Sequence, residues 1–158
     1  AGSRSGQVTA PFRALLNSPQ VAARVAHLGT YIRFESSLEP WIRSLVTLTT
    51  AREWDCQYEW TANESNARRA GVREEAIVAV RDRKAPEGLT QEEALVVSYV
   101  QELIRDHRVS EARFQAALER FGNHALTDLT ATIGYYGMLA CALNAFDVQP
   151  DVAPLLPV

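Results

Sequence analysis

The sequence predicts an all-α protein, a single-domain helical bundle. Apolar residues recur at helical spacing along most of the 158-residue chain. Helix-start and helix-stop signals bound these segments, as at Ser18-Pro19 and at Gly122. No segment shows the alternating pattern of a convincing β-strand. Two of the helical segments meet near Trp54–Gln57.

One helical domain is predicted over residues 19–148. Residues 1–18 are expected to form an N-terminal extension that is partly disordered, with a short helix over residues 11–17, because the first residues are small and polar. Residues 149–158 contain three prolines and are expected to form an extended tail.

Each helix has a recognisable boundary. The first long helix begins at Pro19, and its apolar positions are Val21, Val25, Leu28 and Ile32. The later helices are predicted from Pro40, from about Gln57 to Ala70, from Glu74 to about Asp82, from Thr90, from Ser110 to Gly122, and from about His124 to Phe146. The helix after Pro40 carries three threonines, which are poor helix formers, so burial must stabilise it. Thr90 and Glu93 form a capping box, and Gly71 suits a left-handed helix end.

Composition argues against several partners. A net charge of −3 argues against nucleic acid, which needs a basic surface. Two cysteines, 85 positions apart, form no disulfide scaffold, so we expect a cytoplasmic protein.

The last helix is nearly uncharged but contains Asp128 and Asn144 and lacks basic flanks, so we expect no membrane span. The three histidines show no metal spacing, and we expect no metal and no cofactor.

One helical face groups the candidate site residues. Cys56, Glu59, Trp60 and Asn63 lie at i, i+3, i+4 and i+7. They form either a small-molecule pocket with a thiol, a carboxylate and an amide under an indole, or an interior face with a satisfied Glu–Asn pair and a packed cysteine.

The last helix holds further candidates. Tyr135, Tyr136 and Met138 either line a pocket or belong to the core. Cys141 is expected to be an inert core residue, because its helix is apolar on most sides.

Three runs of sequence resemble the carboxymuconolactone decarboxylase family, which shares its fold with the alkylhydroperoxidase D-like proteins. They are RSLVTLTTAREWDCQYEWTANESNARRAGV, LTQEEALVVSYVQELIRDHRVSEARFQAALERFG and ATIGYYGMLACALNAF. The tripeptide YEW and the junction RVSEARF are the more specific parts. The resemblance covers residues 30–148. It implies an all-α, alkylhydroperoxidase D-like fold built on a helical hairpin, and a homo-oligomer, a trimer or hexamer, with a dimer possible.

The peroxidase branch of that family carries a glutamate, then CxxCxxxH. In this chain Ser44 occupies the glutamate position and Cys56 the first cysteine position, while Glu59 and Asn63 replace the second cysteine and the histidine. A two-cysteine peroxidase mechanism needs the missing groups. A peroxidase using Cys56 with an external resolving thiol remains an alternative.

The decarboxylase branch carries ExxxH at the same place. Glu59 matches the glutamate, and Asn63 replaces the histidine. The resemblance therefore implies a cofactor-independent lyase or isomerase that acts on a small carboxylated or cyclic substrate. Glu59 would be the acid/base, Asn63 would hold an oxyanion, and Cys56 would line the site. Trp60, Tyr136 and Ser44 are the expected substrate-binding residues. A non-catalytic, ligand-binding member of the family is the remaining alternative.

Overall fold

The computed structural model describes residues 10–157, and this part of the chain is helical without any β-strand. The helices are α1 Ala10–Leu15, α2 Pro19–Thr30, α3 Pro40–Glu53, α4 Gln57–Arg69, α5 Glu74–Arg81, α6 Gln91–Arg105 and α7 Glu111–Ala145, with a π-helical turn at Tyr31–Glu35. The predicted all-α, single-domain class is confirmed. The proposed disordered segment of residues 1–9 lies outside the described residues.

Several predicted helix ends are confirmed in atomic detail. The hydroxyl of Thr90 accepts a hydrogen bond from the backbone N–H of Glu93 at 3.2 Å, and the Glu93 carboxylate accepts one from the N–H of Thr90 at 2.8 Å. Gly71 has φ +98°, a conformation that glycine adopts easily, immediately after α4. Local sequence therefore sets these boundaries.

Helix α3 lies at the centre of the fold and contacts α4, α5, α6 and α7. Its three threonines are buried, as expected for a helix that packing stabilises. Thr47 and Thr49 each donate a hydrogen bond to the carbonyl four residues earlier, at 2.9 and 2.7 Å, which satisfies hydroxyls that water cannot reach. The core around α3 includes Ile42, Leu45, Leu48, Trp60, Ile77, Val96 and Leu129.

Helices α3 and α4 form the predicted hairpin. Only residues 54–56 separate them, and Asp55 adopts φ +47° at the turn. The Asp55 carboxylate accepts hydrogen bonds from Arg52 and Arg83, while the backbone N–H of Cys56 donates to the Ala51 carbonyl at 2.9 Å. This turn fixes where α4 begins.

The first long helix differs from its predicted form. Val25 and Ile32 are buried, but Val21 and Leu28 are 44% and 43% exposed. Helical spacing identifies residues on one side of a helix, but only the packing partners determine how much of that side is covered. The helix also widens after Thr30: the N–H of Ser36 donates to the Tyr31 carbonyl five residues earlier, at 2.9 Å.

Side chains hold both ends of the π-helical turn. The Tyr31 hydroxyl donates to Asp128 at 2.9 Å, and the Ser37 backbone N–H and hydroxyl donate to the same carboxylate at 2.8 and 2.7 Å. Asp128 is almost fully buried on α7. The segment between α2 and α3 is therefore fixed against α7.

The C-terminal tail packs on the start of α4. Residues 148–157 contain no helix or strand. The side chain of Gln57 forms two hydrogen bonds to the backbone of Leu156, both 3.0 Å long, and the Leu156 side chain is buried in the core.

Gly122 interrupts α7 with φ +73° and ψ 171°, so the predicted end of a helix at this residue is confirmed, although residues 111–121 and 123–145 follow one another directly. Because this conformation is essentially restricted to glycine, Gly122→Ala should lower the free energy of unfolding by about 1–3 kcal/mol. A Cβ at Gly122 would meet no atom within 4 Å, so the cost is conformational.

Gly134→Ala is the matched control, because a Cβ there also meets nothing and the residue is helical. We expect it to raise stability by up to about 1 kcal/mol. Urea denaturation measures both variants. A Gly122→Ala protein as stable as the wild type would contradict this account of the break.

Candidate active site

Glu59 lies in the first turn of α4, and its side chain is buried, with 4% exposure. The amide nitrogen of Asn63, one turn later, donates to the Glu59 carboxylate at 3.0 Å and to the Glu59 backbone carbonyl at 2.8 Å. Asn63 itself is half-buried. The structure thus brings together the two residues predicted to carry the chemistry.

Burial sets the protonation of Glu59. Loss of solvent raises its pKa from 4.5 to about 7, against smaller opposing effects from the Asn63 hydrogen bond and the positive charge of Arg33. A carboxyl group with a pKa near 7 has both its acid and its base form available at neutral pH.

Arg33 is a site residue that the sequence did not reveal. It lies on the π-helical turn, and its Nε donates to the Gly29 carbonyl at 3.0 Å. Its Nη2 is buried and has no hydrogen-bond partner among residues 10–157. The run YIRFE reads as the continuation of α2, and nothing in it signals a widened turn or an inward-facing arginine.

Two buried tyrosines complete the cluster. The rings of Tyr135 and Tyr136 meet edge to face, with centroids 5.0 Å apart. Burial raises the pKa of Tyr136 to about 12, and it also raises the pKa of Tyr135. Both phenols therefore keep their protons at neutral pH and can donate hydrogen bonds. Gly29 makes room for Tyr135, because a Cβ there would overlap the phenol.

Electrostatic influence links the members of this cluster. The charge of Arg33 lowers the pKa of Glu59, Tyr135 and Tyr136, and the charge of Glu59 raises the pKa of both tyrosines. We call Arg33, Glu59, Asn63, Tyr135 and Tyr136 the polar cluster. It draws on the π-helical turn, α4 and α7, so only the tertiary fold assembles it.

Cys56 is buried beside Ala140 and Leu143, with 1% exposure. Burial raises the pKa of its thiol to about 11, and the charge of Glu59 acts in the same direction, although nearby backbone N–H groups oppose it. The thiol therefore stays protonated at neutral pH, and the protonated form is a poor nucleophile.

Trp60 and Ser44 are not members of the polar cluster. Trp60 is fully buried in the main core, and its indole N–H donates to Glu64 at 3.2 Å. Ser44 is half-buried on α3, one turn before Thr47. Their predicted roles in substrate binding remain predictions.

The expectation that Cys141 is a core residue is wrong. It is exposed and lines an open groove of about 730 Å³ together with Trp54, Gly137 and Met138. Residues 134, 138 and 141 face outward on α7, while Tyr135 and Tyr136 face inward. The apolar composition of the helix hid this difference between its sides.

A second groove on the surface is not lined by any of the predicted site residues. A groove of about 1040 Å³ lies between the start of α6 and α7, lined by side chains such as Glu92 and Arg120. Within residues 10–157, no group of three or more His, Cys, Asp or Glu side chains is placed to hold a metal ion. Over the same range, none of the helices combines the length and apolarity that a membrane crossing requires.

Comparison with solved structures identifies a protein of similar fold. The fold of this chain is similar to that of a protein of unknown function from Agrobacterium tumefaciens, described as a candidate antioxidant defence protein AhpD. The TM-score is 0.76 at 17% sequence identity, over 87% of this chain and 95% of that chain. Identity this low shows a shared fold and nothing finer. A comparison with curated proteins gives no match.

The sequence profile of the carboxymuconolactone decarboxylase family matches residues 19–102. The matched region is more than half of the chain and runs from α2 into α6, so it contains Arg33, Glu59 and Asn63. With the all-α architecture that the resemblance implied, this match shows that the chain belongs to the carboxymuconolactone decarboxylase family.

Proposed function

We propose that the protein is a cofactor-independent lyase or isomerase that acts on a small carboxylated or cyclic substrate by acid–base chemistry. The observation that carries the proposal is the buried carboxyl group of Glu59, whose pKa is raised to about 7. Side chains that exchange protons near the working pH are the most effective general acids and bases.

In a decarboxylation, the bond between the substrate and its carboxyl carbon breaks, and the electron pair moves toward a carbonyl to form an enolate. Protonated Glu59 then donates its proton to the enolate carbon, carbon dioxide leaves, and solvent returns a proton to Glu59. In an isomerisation, Glu59 first removes a proton from carbon and later returns it to another position.

The neighbouring side chains assist these steps. The phenols of Tyr135 and Tyr136 keep their protons and are suited to stabilise negative charge that develops on a carbonyl oxygen. The Asn63 amide nitrogen makes both of its hydrogen bonds to Glu59, so Asn63 orients the carboxyl group in this arrangement. Its predicted contact with an oxyanion would require exchange of one of these bonds.

The assembly and location of the protein belong to the same proposal. We infer a cytoplasmic homo-oligomer, which is a trimer or hexamer, with a dimer as the alternative. Support comes from apolar side chains that the single chain leaves exposed, including Val21, Leu28 and Phe34 near the π-helical turn. Apolar area of this kind commonly lies at subunit contacts.

A thiol peroxidase is the alternative function, because the structurally similar Agrobacterium protein is described as a candidate antioxidant defence protein. The environment of Cys56 opposes it, because peroxide reduction requires a thiolate. Here the thiol is buried and its pKa is raised to about 11. Acid–base chemistry at Glu59 fits the geometry better.

Replacing Glu59 with Gln should lower kcat/KM by about 100- to 10,000-fold, because the amide retains the size of the side chain but carries no exchangeable acid proton. A screen of lactone acids and related carbon acids supplies the substrate for this measurement. With Glu59 as the proton donor, kcat/KM of the wild type should fall as pH rises through about 7.

Glu64→Gln is the matched control. Glu64 is also buried on α4, but it pairs with Trp60 and Arg68 outside the polar cluster, so turnover should persist. Wild-type activity in Glu59→Gln would remove this residue from the mechanism. Binding of screened compounds without any turnover would instead support a non-catalytic, ligand-binding protein.

Cysteine labelling tests the peroxidase alternative. Brief exposure of the native protein to iodoacetamide at pH 7.5 should modify the exposed Cys141 and leave Cys56 unmodified, because the Cys56 thiol is buried and protonated. Cys141→Ser should therefore take up no label until it is unfolded. Rapid labelling of Cys56, or its oxidation by hydroperoxide in the presence of a sulfenic-acid trap, would favour the peroxidase.

A further inference from the structure

We propose that Arg33 binds the carboxylate of the substrate, next to Glu59, so that the polar cluster is a site for small carboxylic acids. The inference rests on the proposed function and names the substrate group that the site recognises. The match to the family profile includes this residue.

Nη2 of Arg33 is buried and finds no hydrogen-bond partner among the described residues. Leaving a buried donor unpaired costs free energy, and more so when the donor belongs to a charged group. A buried guanidinium nitrogen without a partner marks a place where an acceptor from outside the chain would be stabilised.

The rest of the chain does not leave its buried charges in this state. Arg52 is buried and contacts both the Arg81 carbonyl and Asp55. The buried carboxylate of Glu93 pairs with Arg73, at 2.5 Å. The buried carboxylate of Glu64 likewise pairs with Arg68, at 2.8 Å.

Arg33 and Glu59 lie near enough for the arginine to lower the pKa of the carboxyl group, but they form no ion pair within 4 Å in the described structure. A direct ion pair would leave Glu59 ionised and useless as a proton donor. Because no carboxylate of the described residues pairs with Arg33, a carboxylate from outside the chain can become its partner. The planar guanidinium forms paired hydrogen bonds with a carboxylate, which makes that group the natural ligand.

A bound carboxylate would also favour the reaction. Its negative charge would offset the charge of Arg33, which is one of the two influences that lower the pKa of Glu59. Glu59 would then keep its proton while the substrate is bound. The same carboxylate would be held beside the acid that protonates the product.

The surrounding structure holds Arg33 in position before any ligand binds. Its Nε is fixed by the Gly29 carbonyl, at 3.0 Å. Asp128 fastens Tyr31 and Ser37 on either side of the turn. A donor whose orientation is already fixed loses little conformational entropy when it binds a ligand.

The test is direct binding, measured by isothermal titration calorimetry with benzoate and with its uncharged analogue benzamide. The wild type should bind benzoate more tightly than benzamide. Arg33→Gln should weaken benzoate binding by about 10- to 100-fold, as expected for loss of a charged hydrogen bond, and should leave benzamide binding unchanged. Arg33→Lys retains the charge and should recover part of the loss.

Arg24→Gln is the matched control, because Arg24 lies on α2 with the same charge but is exposed and donates a hydrogen bond to the Gln20 carbonyl, at 3.0 Å. It should bind benzoate as the wild type does. Equal affinity of Arg33→Gln and wild type for benzoate would overturn the inference, as would a wild type that binds neither compound or does not distinguish between them.

Two further measurements distinguish a failure of the carboxylate site from a failure of the acid–base proposal or of protein folding. Glu59→Gln should lose turnover and still bind benzoate, so failure of the acid–base proposal leaves the carboxylate site testable. If Arg33→Gln does not fold, a crystal structure of the wild type with benzoate decides: the carboxylate should lie within hydrogen-bond distance of Nη2, and its location elsewhere would overturn the inference.

Discussion

The site depends on one constraint: the carboxyl group of Glu59 is buried without a cation in direct contact. Burial disfavours the ionised form, and the Asn63 hydrogen bond and the more distant Arg33 only partly compensate. Between pH 4.5 and about 7 the native protein keeps a proton that the unfolded chain releases. The contribution of this group to stability therefore falls as pH rises through that window. Buried ionisable groups that lower stability are retained most readily where function requires them.

The helical hairpin makes this burial possible. Helix α3 is buried on nearly all sides and serves as the support against which α4 packs. The short turn at residues 54–56 fixes the start of α4, so Glu59 in its first turn faces the interior beside α7. The π-helical turn then brings Arg33 to the same region, and Asp128 holds that turn in place. Three separate segments must fold correctly before the polar cluster exists.

The sequence predicted what depends on local chemistry. The capping box at Thr90 and Glu93 and the helix end at Gly71 were read correctly, because the side chains and backbone that decide them are neighbours in the chain. Glu59 and Asn63 were identified through the family resemblance and through their spacing of one helical turn, and their hydrogen bond follows from that spacing.

What depends on distant packing was not predictable. Arg33 gave no signal, because its position follows from a widening of the helix backbone and from contacts with α7. The exposure of Cys141 and of Leu28 followed from which side of each helix is covered, and apolar composition alone does not contain that information. The separation of Trp60 from Cys56 has the same origin, since adjacent positions on one face can pack into different clusters.

The most direct test of this account is the pKa of Glu59, measured by following its side-chain carboxyl carbon in a ¹³C NMR titration, with Glu59→Gln identifying the resonance. The account predicts a midpoint near pH 7, well above the value for an exposed glutamate. A midpoint near 4.5 would mean that the carboxyl group is ionised and solvated in the folded protein, and would contradict its role as the acid and base of the site.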